Sequence, residues 1–168
     1  MKKLFPFLLA LIVVQSCEEP VEITETMAVN QSATITINET NGSAVNFNDV
    51  IEGDLNQVIS NFNSINDITI DSLSYSFTNL TGNENATIVN AAIEINGIIV
   101  AEVSDLNIAQ EIDNESVFQI TDLNVLDQLE TSFLNNSSVT LNLTGMAISE
   151  EGDVSFDIEL SMQLTASF

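Results

Sequence analysis

Val154-Ser-Phe-Asp-Ile-Glu-Leu-Ser-Met-Gln-Leu-Thr-Ala-Ser-Phe168 decides the fold class. Every even position from Val154 to Phe168 is apolar, and every odd one is polar. That period of two is a β-strand with one buried and one wet face. Fifteen residues at about 3.3 Å each span about 50 Å, enough to cross a whole sheet. The turn Glu150-Glu151-Gly152-Asp153 precedes it. Before the turn, Val139, Leu141 and Leu143 alternate, and Met146 and Ile148 follow after a parity shift at Gly145. Two strands are expected there.

Further upstream, Ala86–Ile95 and Ile98–Val103 flank Asn96-Gly97. That dipeptide suits a type I′ hairpin turn, whose two central residues both need positive φ. Ile68, Ile70, Leu73, Tyr75 and Phe77 form another strand, whose parity slips by one at Asp71-Ser72. A β-bulge produces such a slip. Ala33, Ile35 and Ile37 alternate with threonines, and the turn-forming stretch Asn38–Ser43 follows. Two patterns have helical spacing. Ile51, Leu55, Val58, Ile59 and Phe62 predict a helix capped by Asp49. Leu123, Leu126, Leu129 and Phe133 predict a second, capped by Thr121 or Asp122. Leu106–Ile120 reads as extended, interrupted by the acidic stretch Glu111–Glu115. Together these predict a mainly antiparallel β-sandwich with two short helices. The alternative is an α+β layout with both helices on one curved antiparallel sheet.

Two segments align without gaps at an offset of 71 residues. Leu55–Phe62 matches Leu126–Phe133, Ile68–Ile70 matches Val139–Leu141, and Phe47 matches Phe118. A duplicated helix–hairpin unit and convergence both explain this.

Composition excludes much chemistry. The chain has 25 Asp and Glu, all beyond Cys17, and only two basic residues, Lys2 and Lys3. It has no His and no Trp. From Cys17 onward there is no cation to contact nucleic-acid phosphates, no lysine for a phosphate loop and no histidine for a nucleophilic triad. Carboxylate pairs can hydrolyse glycosides, but one Tyr and no Trp leave few aromatic platforms for a sugar. No enzymatic activity and no cofactor are expected. Calcium is the one candidate ion, because it takes several oxygen ligands. Its candidate ligands fall in three runs: Asp49, Glu52 and Asp54; Glu111, Asp113 and Glu115; Glu150, Glu151 and Asp153. None has the spacing of an EF-hand loop. Unpaired carboxylates crowded on one surface repel one another, which is expected to raise their pKa values on average.

The opening is a basic pair, Lys2-Lys3, an apolar run from Leu4 to Val14, then Ser16 and the single cysteine, Cys17. The apolar run is too short for a membrane-spanning helix, which needs about 20 residues. Val14-Gln-Ser-Cys17 resembles the lipobox of bacterial lipoproteins. The resemblance implies cleavage before Cys17 and lipidation of its thiol. Glu18-Glu19 behind it resembles the surface-export signal of Bacteroidota lipoproteins. Asp71-Ser72-Leu73 likewise resembles their short O-glycosylation motif. The expected organisation is a signal peptide at 1–16, a lipidated acidic tether at 17–25, and one β-rich domain at 26–168. The expected role is a non-enzymatic binding or accessory module, lipid-anchored at the outer membrane or cell surface. It would meet a protein partner in an envelope complex and no nucleic acid. The alternative is a carrier with an apolar cavity between helices and sheet.

Overall fold

A computed structural model describes residues 23–57, 59 and 64–168. Eight strands form two four-stranded antiparallel sheets. They are β1 (Thr24–Ile37), β2 (Val45–Asp54), β3 (Asp67–Gly82), β4 (Thr87–Ile95), β5 (Ile98–Asn107), β6 (Val117–Gln119), β7 (Ser138–Ile148) and β8 (Val154–Ser167). Helix α1 (Ile108–Asp113) lies between β5 and β6, and α2 (Leu123–Asn135) between β6 and β7. The sheets run β1-β8-β3-β6 and β2-β7-β4-β5. The pairs β4–β5, β3–β6, β2–β7 and β1–β8 nest outward from the Asn96-Gly97 turn. The chain is therefore one long hairpin rolled into a sandwich, the eight-stranded jelly-roll order.

β8 confirms the alternation that identifies it. Val154, Phe156, Ile158, Leu160, Met162, Leu164 and Ala166 are buried between the sheets. It is a central strand, with β1 on one side and β3 on the other. Asn96 and Gly97 have φ of 51° and 79°, as the type I′ turn requires. The β3 register breaks between Ile70 and Ser72, so the bulge is at Asp71.

Three local expectations are corrected. Asp49, Ile51 and Gly53 lie in β2, paired with Leu143, Leu141 and Val139, so the first helix does not begin there. A single 3-10 turn, Leu55–Gln57, follows. Pairing with β7 overrides the helical spacing of Ile51 and Leu55. Val58 and Phe62 lie outside the described residues. Secondly, Leu106–Ile120 contains α1, whose N-cap Asn107 accepts from the Gln110 amide at 2.8 Å. Thirdly, β7 is one strand with no parity shift. Val139, Leu141, Leu143 and Ala147 all face the core, and Met146 and Ile148 lie on the opposite face. The register break belongs to β4, between Ile88 and Asn90. Gly145 has a different duty: an added Cβ would lie 2.6 Å from the Phe47 ring and closer still to the Asn90 carbonyl.

α2 forms as expected, with Asp122 as N-cap accepting from the Asn124 amide at 2.9 Å. Leu129 and Phe133 are fully buried. Both helices pack on β3, and both reach β5. They close the side of the sandwich where the edge strands β5 and β6 meet. Shifting every strand four places along the chain converts one sheet order into the other. Phe47 in β2 and Phe118 in β6 are related in this way. The offset of 71 thus follows the symmetry of the roll, which any chain of this topology has, duplicated or not.

Candidate functional site

The fold separates the calcium candidates. On β2, Asp49 shares the inward face with Phe47 and Ile51, while Glu52 and Asp54 lie on the opposite face. Glu111 and Asp113 lie on α1, and Glu115 follows it with φ of 51°. Glu150, Glu151 and Asp153 form the β7–β8 turn. Glu150 and Glu151 line an open groove of about 570 Å³ with Asp105, whereas the Asp153 carboxylate accepts from the Glu39 amide at 2.8 Å. Among the described residues, no group of three acidic side chains is placed to hold a metal ion. Cys17 lies outside the described residues. Ser72 is exposed beside exposed Asp71, because the bulge turns both outward.

No described residue is a Lys, Arg or His, and several carboxylates are held by hydroxyl and amide donors. The outer face of the β1-β8-β3 sheet carries rows of them: Thr26–Thr165–Thr69, Thr34–Asp157–Thr78 and Thr36–Ser155–Thr81. Thr34 donates to Asp157 at 2.6 Å, and Asn79 donates to its other oxygen at 2.7 Å. Thr78 donates to Glu159 at 2.9 Å, and Thr165 to Asp71 at 2.7 Å. The bond from Thr34, then that from Asn79, lowers the Asp157 pKa below the ordinary aspartate value. Asp54 is lowered too, first by the Asn56 backbone amide at 2.9 Å. Both shifts run opposite to the average expected from mutual repulsion, because a donated hydrogen bond at short range outweighs screened charges farther away.

The two long sides of the sandwich differ. Helices cover the β5/β6 side. On the other side, β1 and β2 face each other across a cleft of about 500 Å³. Asn30 and Gln31 of β1 line it, with Glu52, Gly53 and Asp54 of β2 and Gln57. Gly53 leaves room for Gln31, whose Nε2 lies 3.1 Å from where a Cβ would sit. Of these residues, sequence reasoning singles out Glu52 and Asp54 as calcium candidates. It misses Asn30, Gln31 and Gln57. The available signal was the absence of any charged residue from Thr26 through Asn38.

Tyr75 of β3 is buried. Its ring stacks on Phe118 at a centroid distance of 4.8 Å, and burial followed by the nearby Glu111 charge raises its pKa. Bound between sheet and helix, it reads as a packing residue.

No protein-family model matches the chain. No curated protein matches it either. Among solved structures, the decameric BFDV capsid protein is similar over 86% of this chain and 99% of that one. The sequence identity is 12% and the TM-score 0.43.

Proposed function

We propose that this chain is a non-enzymatic binding or accessory module, lipid-anchored through Cys17 at the outer membrane, which engages a protein partner of the envelope. The observation that carries the reading is where the first strand begins. β1 starts at Thr24, seven residues after Cys17 and inside the expected tether. Seven residues reach at most about 25 Å, so a lipid on Cys17 would hold the domain close to the bilayer. The β1–β2, β3–β4 and β7–β8 turns lie at the far end of β1, away from Thr24. They would face outward. No helix among the described residues is long and apolar enough to cross a membrane.

The packing of α2 favours this module over a carrier. Leu129 and Phe133, which would line an apolar cavity between helix and sheet, are fully buried. The cleft lined by Gln31, Glu52 and Asp54 is mainly polar.

Two experiments test the reading. Metabolic labelling with an alkyne fatty acid should mark the wild type and fail on Cys17→Ser. Equal labelling of both would end the anchor assignment. Affinity capture of the tagged chain from native membranes should recover an envelope protein in stoichiometric amount. A preparation that yields the chain alone would remove the binding role.

A further inference from the structure

The four edge strands are protected unequally. An edge strand turns alternate N–H and C=O groups away from its one neighbour, and natural sheets blunt such edges with charge, bulges, shortness or a covering element. β6 is three residues long, with a helix on either side in sequence. β5 carries Glu102 and Asp105, has a register break against β4, and bends at Asp105 with φ of 50°. β2 carries Asp49, Glu52 and Asp54. Among the described residues, β1 has none of these devices over most of its length. It is 14 residues long, its pairing with β8 is unbroken, and Glu25 is its only charged residue. Among the described residues, its second edge pairs with no strand. The cleft lined by Gln31, Glu52 and Asp54 adjoins that edge.

We propose that β1 is a docking edge for an extended, basic segment of a partner protein, which adds as a strand beside β1 and sets a lysine or arginine into the adjoining cleft. This rests on the binding-module reading and names the partner's chemistry. Strand addition supplies main-chain hydrogen bonds along the unpaired edge, and the cleft supplies side-chain selectivity. Charge complementarity selects the basic side chain. Glu52 and Asp54 line the cleft, and no described residue carries a positive charge to neutralise them. Charge also disfavours a second copy of the chain as the occupant, since two such anionic surfaces repel.

The probe is a synthetic peptide alternating valine and lysine, offered to the full chain purified in detergent. Its partner probe has equal charge, with proline replacing every second valine, so that it cannot form a strand ladder. The alternating peptide should bind and slow amide hydrogen exchange along β1, while the proline peptide leaves β1 unprotected. The double variant Glu52→Gln/Asp54→Asn should weaken the alternating peptide by about tenfold, as loss of two close charge pairs implies. It should weaken an uncharged Val/Thr peptide by less than about twofold. Equal binding of the proline peptide would reduce the effect to charge condensation and overturn the proposal. So would protection that falls on β2 or β5. Protection of β1 that appears without peptide and grows with protein concentration would assign the edge to a second copy instead. A membrane partner captured with its footprint elsewhere refutes the β1 edge and leaves the module reading standing. Loss of lipid labelling at Cys17 bears on the anchor alone.

Discussion

Asn96 ties three elements together, and its removal should cost the domain a large part of its stability. Its Nδ2 donates to Ser132 Oγ in α2 at 3.0 Å and to the Ser138 carbonyl at 3.1 Å. Its Oδ1 accepts from the Thr140 amide at 2.8 Å. One side chain thus joins the β4–β5 turn to the end of α2 and the start of β7. Each bond contributes about 0.5–1.5 kcal/mol net, and the part-buried Thr140 amide would lose its acceptor. Some water re-enters, so Asn96→Gly should cost about 2–3 kcal/mol. Asn96→Ala should cost about 1 kcal/mol more, because Asn96 sits at φ of 51° and a Cβ without a local hydrogen bond is disfavoured there. Against a typical total of about 5–15 kcal/mol, neither loss is small. Urea unfolding measures both. With m at about 2 kcal/mol/M, within the usual 1–3, the Asn96→Gly midpoint should fall by about 1–1.5 M at unchanged m. A cost under about 0.5 kcal/mol for Asn96→Gly would refute the reasoning, since surface changes of no structural consequence fall in that range. Equal costs for the two variants would refute the backbone part of it.

Phe133→Ala empties a fully buried site beneath α2 and should cost about 3–5 kcal/mol in the same melts. Gly145→Ala should cost at least about 1–3 kcal/mol, because the Asn90 carbonyl and the Phe47 ring must move apart; a neutral result would mean that β7 can shift without strain. Thr34→Val removes the main donor to Asp157. A lowered folded pKa stabilises above the unfolded value near 3.8 and is lost as pH falls through the folded one. The stability difference between wild type and variant should therefore be full near neutrality, shrink below about pH 4 and vanish in stronger acid; a difference independent of pH would remove the charge-assisted bond from the account. Melting temperature should rise with NaCl between about 0.01 and 0.1 M, as the Debye length contracts from about 30 to about 10 Å, and a flat response would show that repulsion is not a governing effect.

The parts that could be read from sequence were those fixed by local pattern. β8 announces itself because its neighbours on both sides keep one face dry along its length. Asn96-Gly97 is legible because positive φ restricts the residues that can occupy it, and the bulge at Asp71 because it slips the apolar parity by one. The misreadings arise where distant pairing decides. Ile51 and Leu55 have helical spacing, yet β7 draws Ile51 into a ladder through Leu141. α1 has only six residues, too few for periodicity to show. Gly145 looks like a parity break, but its cause is a carbonyl and a ring from β4 and β2. The cleft lay beyond reach for the same reason. Gln31 and Glu52 come together only through the order of strands, and nothing near either residue encodes that order.

The nested pairing has a consequence for when the domain can exist. Its innermost pair, β4–β5, spans about twenty residues, whereas its outermost joins Thr24 to Ser167. Such long-range closure is slow, because the entropy of a large loop is spent before its contacts form. β8 also supplies the central partner of β3, so half of one sheet waits on the last of the eight strands. A polypeptide lacking β8 loses the strand that joins β1 to β3, so that this sheet cannot close. The same logic makes the C-terminal end a vulnerable place: a nick or truncation within β8 would unzip β1 and β3 together and expose both strands to aggregation.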